Sequence, residues 1–384
     1  MRRPGRYAAG GNEDPSSYTR ARSKPILASR VPPNPTTRIL LIRPSALGDV
    51  CRSVPVAASL RAAFPDASIS WIVRDSFRDA IRAHPAVDEV IEYSRRRIAE
   101  SWRSPSAGAA TWAFLASLRG RFDLVVDAQG LFRSGLMAFA TGARRRIGFA
   151  DARELGWLGI NERIQVPERH AVERMLGLLA GAGIPTVADA RLVAPAESVE
   201  SWRRLGRELG AGASGTRYAV LAPTSRWISK EWPAERWREL ATELLGRGFD
   251  SVVLCGSAGE RERVEAARPA GTAGVRVVNA AGRISIGETM AAIAEASLVV
   301  ANDSAPTHMA VGFDRPLLSL FGPTDPAEAG PFRRPRSVVR SPAAGARPVH
   351  YRDRGLGDAI MRAISVETVL AALDRGDAEP EATR

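Results

Sequence analysis

From Arg38 to Asp374 short apolar runs alternate with helical stretches, and this alternation constrains the fold more than any other feature. Ile39–Ile42, Ile69–Val73, Val87–Ile91, Leu124–Asp127 and Ile147–Phe149 read as strands of the kind buried on both faces. Between them lie helical patterns: one ending near Phe64, then Ser76–Ala83, Ser106–Leu118 and Leu131–Ala140. Another helix spans His170–Ala182 and closes at Gly183-Ile184-Pro185, and residues 186–197 read as a connector. The second half repeats the scheme, with strands at Tyr218–Leu221, Ser251–Cys255, Val275–Val278, Leu298–Ala301 and Pro316–Phe321. Its helices are Ala234–Leu245, Glu260–Ala267, Ile286–Ala294, Thr307–Gly312 and Val366–Asp374. Alternating strands and helices imply parallel, doubly wound sheets. The fold class is therefore α/β, with two Rossmann-like domains facing across a cleft, a preferred place for a ligand.

The expected boundaries are a disordered basic tail at 1–37, an N-terminal domain at 38–190, a C-terminal domain at 191–376 and a short disordered tail at 377–384. The first segment is rich in Arg, Pro, Ser, Gly and Asn, and buries too little apolar surface to offset its ordering entropy. It has no apolar core of the secretory type, and no run of eighteen apolar residues occurs anywhere. Cys51 and Cys255 lie far apart without a CxxC partner, which argues against a disulfide framework and a zinc site. A cytoplasmic location fits. The formal charge of +12 resides largely in arginine clusters at 95–97, 144–146 and 333–336. Nucleic acid, an anionic membrane surface or a phosphorylated substrate would each suit such clusters, as would arginine used as an ordinary surface residue. No nucleic-acid motif accompanies them.

The chemistry-bearing residues sit where strands hand over to helices. No GxxxxGK[ST] or GxSxG occurs, which disfavours a P-loop NTPase and an α/β-hydrolase; the one GxGxxG string, Gly210 to Gly215, precedes the Tyr218–Leu221 strand instead of following a strand into a helix, which disfavours a dinucleotide dehydrogenase. After the first strand, Pro44 stops the ladder and Ser45 to Gly48 make a tight loop before Asp49. If the next helix starts near Pro55 with Ser53 as its cap, Asp49 is free of capping duty; if it starts at Val50, Pro55 must kink it. In the second half, Asn302-Asp303-Ser304-Ala305-Pro306-Thr307-His308 opens a helix whose N–H groups and dipole suit an anion, or it is a plain capped helix start. Thr224, Ser225 and Lys230 follow an earlier strand and can hold phosphate, or Lys230 is a solvated loop charge. Glu260 follows a third strand, placed to accept from ribose hydroxyls or to cap its own helix. Gly322-Pro323-Thr324-Asp325-Pro326 is a further turn at the same sheet edge.

Several short strings in order carry a family resemblance: Leu-Gly-Asp-Val (47–50), Asp-Ala-Gln-Gly-Leu (127–131), His-Ala-Val-Glu-Arg (170–174), Thr-Ser-Arg with Lys-Glu-Trp-Pro (224–233), Asn-Asp-Ser with His308, and Gly-Pro-Thr-Asp-Pro (322–326). Together they resemble the ADP-heptose:lipopolysaccharide heptosyltransferases of glycosyltransferase family nine, across nearly everything between the tails. The second and third strings are most like heptosyltransferase I, and Asn302-Asp303-Ser304 is more like heptosyltransferase II. The resemblance implies a GT-B fold and an inverting transfer of heptose from ADP-heptose to a lipid-linked, anionic inner-core acceptor, either Kdo or the first heptose. It implies no metal and no cofactor beyond the ADP-sugar substrate, and no nucleic acid. Asp49 and Lys230 would be catalytic, with Asp49 the general base. Thr224, Ser225, Lys230, Glu260, Asp303, Ser304, Ala305 and His308 would hold the donor. Ser45, Gly48, Gln129, Arg133 and Arg153 would face the acceptor, with Arg95–Arg97 as weaker candidates. The protein would work peripherally on the inner face of the inner membrane. The alternatives are a GT-B transferase with another sugar or acceptor, and a non-catalytic protein that binds anions or nucleic acid.

Overall fold

The computed structural model describes residues 37–94, 104–212, 215–271, 276–345 and 353–381. Residues 1–36, Arg95–Arg97 and the last three of the expected C-terminal tail lie outside that set.

The first sheet contains β1 (Arg38–Ile42), β2 (Ser68–Arg74), β3 (Glu89–Tyr93), β4 (Leu124–Asp127), β5 (Arg145–Phe149) and β6 (Glu162–Ile164), in the order β3-β2-β1-β4-β5-β6. The second contains β7 (Tyr218–Ala222), β8 (Ser251–Leu254), β9 (Val277–Asn279), β10 (Leu298–Asn302), β11 (Leu317–Phe321) and β12 (Val338–Arg340), in the order β12-β11-β10-β7-β8-β9. Counted from its own first strand and read from its other edge, the second order is the same as the first. All pairings are parallel. Both halves are therefore doubly wound Rossmann-type sheets, as the alternation requires.

Helices cover the sheets: α1 (Leu47–Arg52), α2 (Val54–Ala63), α3 (Pro105–Ser117), α4 (Phe132–Ala140), α5 (Ala171–Gly181), α6 (Ala196–Leu209), α7 (Ala234–Gly246), α8 (Arg261–Ala266), α9 (Ile286–Glu295), α10 (Ala305–Gly312), α11 (Pro326–Ala329), α12 (Arg354–Arg362) and α13 (Val366–Asp374). The central strands β1, β4, β7 and β10 are almost wholly buried, in agreement with their unbroken apolar runs. One apolar cluster joins Ile39, Leu41 and Val126 of the first half to Val299, Met309 and Ala310 of the second.

Several expectations shift. The third strand runs over 89–93 rather than 87–91, because Val87 N–H donates to His84 O in a turn that delays pairing. Ser76–Ala83 is a 3-10 stretch over Asp75–Ala80. The connector read at 186–197 ends early: α6 already begins at Ala196. β6 and β12 have three residues each, too few for a period to register. α12 escaped notice because Gly355 and Gly357 dilute its pattern. The stretch read as a tail from 377 is anchored: Ala378 is buried and its carbonyl accepts from Leu317 N–H at 2.7 Å.

Candidate active site

In an open α/β sheet the ligand crevice opens where strand order reverses, beyond the carboxyl ends of the two strands flanking the reversal. Here those pairs are β1/β4 and β7/β10. The registers align Ile42 with Asp127 and Ala222 with Ala301. The residues just beyond thus share one edge in each half: Arg43 to Asp49 with Ala128 to Gly130, and Pro223 to Ser225 with Asn302 to Ser304.

The first edge is a network of charges. Asp49 lies in the first turn of α1, where its Oδ2 accepts from Ala46 N–H at 3.0 Å. Its Oδ1 pairs with Arg43 at 3.3 Å and with Arg52 on the next turn of α1. Burial pushes the Asp49 carboxyl up, but the two guanidiniums and the Ala46 N–H outweigh it and hold it well below the usual carboxylate range. The capping question resolves into both readings. One helix starts at Leu47 with Asp49 in its first turn, and a second starts at Val54, with Ser53 at the N-cap position, its side chain making no cap bond, and Pro55 in its first turn. The break at Ser53 accommodates the proline, and its hydroxyl donates to Asp49 O at 2.7 Å.

Arg43 also donates to Ala128 O at 2.5 Å, tying the Asp49 loop to β4. Asp127, buried at the end of β4, accepts from Gln129 N–H (2.9 Å), Gly130 N–H (3.1 Å) and Ser134 Oγ–H (2.8 Å). Burial nonetheless pushes its carboxyl up to about 6. Asp127 shapes the Asp-Ala-Gln-Gly turn, and Gly130 can follow that turn because it adopts φ 67°. Gln129 Oε1 and Arg52 Nε and Nη1 are buried without a protein partner. Arg153, from the loop after β5, joins this edge through its N–H on Gly130 O at 2.9 Å. Arg133 sits in the first turn of α4, and Ser45 in the loop between β1 and α1.

The second edge is built from hydroxyls and amides. Asn302 is fully buried, donating to Pro223 O (2.8 Å) and accepting from Trp232 N–H (3.1 Å), so it stitches the Thr224–Lys230 loop to β10. Lys230 Nζ pairs with Asp303 Oδ2 at 2.6 Å, and Thr324 Oγ–H donates to the same oxygen at 2.8 Å. The lysine is therefore a positioned charge and not a solvated one. Ser225 N–H donates to Glu231, and the Ser225 hydroxyl lies 3.4 Å from Asp303 O. Glu231 is in turn held by Arg263. Glu260 Oε2 accepts from Ser257 N–H at 2.8 Å and Ser257 Oγ–H at 2.5 Å, which is the capping alternative; Glu260 Oε1 lies 3.4 Å from Arg263. α10 starts at Ala305, with Ser304 as its N-cap and Pro306 in its first turn. The Ser304 hydroxyl is buried without a protein partner. His308 is buried one turn in; burial, then the nearby Arg52 guanidinium, push its imidazole well below its usual value, so it is neutral at pH 7.

The two edges meet. A Cβ placed on Gly48 would lie 3.1 Å from His308 Cδ2 and 3.3 Å from Ala305 Cα. The first turn of α1, which carries Asp49, thus packs against the N-terminal turn of α10. His170 spans the halves as well: its Nε2 is 3.2 Å from Gly330 O, its ring stacks on Phe332, and neighbouring Arg169 pairs with Asp325 and Glu328. Sequence reasoning missed Arg43, Arg52, Asn302 and Thr324 as parts of the site. Asn302 and Thr324 were legible within quoted strings; the arginines carried no signal apart from adjacency to Asp49. Among the described residues, no group of three or more His, Cys, Asp or Glu could hold a metal ion.

Comparison with known proteins follows the same lines. Residues 111–355 match glycosyltransferase family 9 (heptosyltransferase). Lipopolysaccharide heptosyltransferase 1 of Pseudomonas aeruginosa is 34% identical over 306 residues, 77% of this chain and 82% of that one. The protein of the same name from Escherichia coli K12 is 29% identical over 79% of this chain and 94% of its own. The solved structure of E. coli heptosyltransferase WaaC with ADP-2-deoxy-2-fluoro heptose superposes with a TM-score of 0.68 at 26% identity, covering 88% of this chain and 99% of that one. A family 9 glycosyl transferase from Veillonella parvula, at 20% identity and a TM-score of 0.72, shares the fold. The two facing sheets are those of the GT-B architecture.

Proposed function

The chain belongs to glycosyltransferase family 9, the heptosyltransferases, and on that premise we propose that it transfers heptose from ADP-heptose to a lipopolysaccharide inner-core acceptor, Kdo or the first heptose. The observation that carries this is the packing of the Asp49 turn against the start of α10, through Gly48, Ala305 and His308. It sets a carboxylate beside a run of neutral donors suited to a diphosphate. In this reading residues 38–190 receive the acceptor and residues 191–376 hold the nucleotide sugar.

The acceptor hydroxyl oxygen attacks the anomeric carbon on the face opposite ADP. The bond from that carbon to the β-phosphate oxygen breaks, and its electron pair leaves with ADP. The hydroxyl proton passes to Asp49. A carboxylate held this low is a weak base, so the proton moves late, once the new C–O bond has acidified the hydroxyl. Charge on the departing diphosphate is met by Lys230, the hydroxyls of Thr224, Ser225 and Ser304, and the N–H groups at Ala305. Asp303 holds Lys230 in place, and neutral His308 donates without adding charge. Glu260 is assigned to the ribose. Ser45, Gly48, Gln129, Arg133 and Arg153 face the acceptor, whose anionic groups suit the arginines. Transfer needs no metal in this scheme. The acceptor being lipid-linked, the protein works in the cytoplasm, peripherally on the inner leaflet; no helix among the described residues is long and apolar enough to cross a membrane.

The direct test is ADP release on mixing the protein with ADP-heptose and either Kdo-lipid A or its heptosylated product, each with and without EDTA. Release with one acceptor and unaffected by EDTA is expected. No release with either sinks heptosyl transfer, and loss on adding EDTA sinks the metal-free scheme.

A further inference from the structure

Large exposed apolar side chains are not scattered evenly over the surface. Among the described residues, six of the ten lie in one region of the first half: Trp112, Phe132, Leu136, Phe139, Leu155 and Leu158. Trp112 is 74% exposed and Phe139 62%, too open for either to be a core side chain at its margin. Phe132, Leu136 and Phe139 recur at i, i+4 and i+7, so they form one stripe along α4, while Ser134, Met137 and Ala138 are buried on its other side. The 3-10 stretch Gly156–Gly159 lies directly on this helix: a Cβ on Gly135 would fall 2.1 Å from Gly156 O, and one on Gly159 1.8 Å from Gly135 O. Leu155 and Leu158 therefore extend the α4 stripe. Glu154 and Leu155 both take positive φ, 55° and 61°, a costly backbone for two consecutive non-glycine residues that ends with Leu155 in solvent. Neighbouring α3 has no charged residue in thirteen and no buried one either.

An apolar face of this size needs a partner. Its charged neighbours indicate which kind. Arg133 follows Phe132 and Arg153 precedes Leu155 by two residues, and neither makes an ion pair among the described residues; Glu154 is the acid of that loop. Apolar side chains bordered by unpaired arginines match an anionic lipid surface, where the former enter the acyl boundary and the latter meet headgroups. Position agrees: Arg153 N–H is bonded to Gly130 O, so this face adjoins the turn assigned above to the acceptor. We infer that α3, α4 and the 154–159 loop form a membrane-docking face, inserting Trp112, Phe132, Leu136, Phe139, Leu155 and Leu158 into an anionic bilayer beside the acceptor cleft. The inference rests on the lipid-linked acceptor proposed above, and adds the residues that touch the bilayer.

The full chain is floated with phosphatidylethanolamine vesicles containing or lacking 30% phosphatidylglycerol, with no sugar substrate present, so the result is independent of whether heptosyl transfer holds. Vesicle binding is expected, strongest with the anionic lipid and weakened but not abolished by high salt. The triple variant Phe132→Ser, Leu136→Ser, Phe139→Ser should bind about 100-fold more weakly. Trp112→Phe keeps the fold intact: brominated acyl chains should quench the wild type, and most of that quenching should vanish in this variant. Undiminished vesicle binding by the triple variant, or unchanged quenching in Trp112→Phe, overturns the docking face. So does loss of a dimer by the triple variant in sedimentation without loss of vesicle binding, which would make a second copy the occupant.

Discussion

The two switch points share one topology and differ in chemistry. Beyond β1 and β4 the first half presents full charges: Asp49 clamped by Arg43 and Arg52, with Asp127 beneath them. Beyond β7 and β10 the second half presents hydroxyls, amides, a neutral imidazole and a lysine already balanced by Asp303. The strand order decides only where a ligand sits; the few residues after each strand decide what it is. A charged edge suits proton removal and an anionic acceptor. An edge of neutral donors with one positioned cation suits a diphosphate, because donors on a rigid frame need not reorganise as charge develops.

The contrast can be broken at its strongest point by Asp49→Asn. Turnover in the ADP-release assay should fall about 100- to 10,000-fold, the usual worth of a positioned base, with ADP affinity by calorimetry little changed. Activity near wild type would remove Asp49 from the reaction. On the other edge, Lys230→Ala should cost about 100-fold in kcat, and it leaves the buried Asp303 carboxylate without its cation. If only KM rose, Lys230 would serve ground-state binding and not the departing phosphate.

Asp49 and Asp127 should pull stability in opposite directions with pH. Asp49 is held low in the folded state, so its contribution is present above the ordinary carboxylate pKa and is lost as pH falls below it. Asp127 is raised to about 6, so between about 4 and 6 the folded state binds the extra proton and this carboxyl favours unfolding as pH rises. Asp127→Asn should flatten that segment of a denaturant-midpoint-versus-pH curve, a change of about 3 kcal/mol at most. A curve of unaltered slope would show that the carboxyl titrates normally.

Arg52→Gln sharpens the first edge: with one guanidinium gone, the acid limb of kcat/KM against pH should move to higher pH, because Asp49 then protonates sooner. A fixed limb would mean that Arg43 alone sets it. The smallest effect is expected at the seam. Gly48→Ala puts a methyl 3.1 Å from His308 Cδ2, tight enough to require a shift of a few tenths of an ångström, and should cost about 1 kcal/mol by thermal unfolding. Gly48→Val should cost more; equal stability of both would show the seam to be loose.

Much of this molecule was legible in order of residues. The central strands announced themselves as apolar runs, because a strand covered on both faces has no polar side to show. Strand-end motifs placed Asp49, Thr224, Ser225, Lys230 and Ser304 at two sheet edges, since a turn after a parallel strand has few places to go. The three-residue edge strands β6 and β12 left no period to read, and neither did a glycine-diluted helix. Partnerships were hidden too. The i, i+3 spacing of Asp49 and Arg52 is the one local hint of a pair; nothing local reveals that Arg43 joins them, that Asp303 claims Lys230, or that Gly48 touches Ala305. The first two form within the turn and helix after β1 and the third within the second half, but the last joins residues 257 positions apart and exists only because two independently wound sheets turn their switch points toward each other. Patterning along the chain determines each half, for it reflects burial within a strand or helix. Packing between the halves completes the site: the Asp49 turn meets α10 only across the seam, and His308 owes its neutral state to burial there and to Arg52 of the other half.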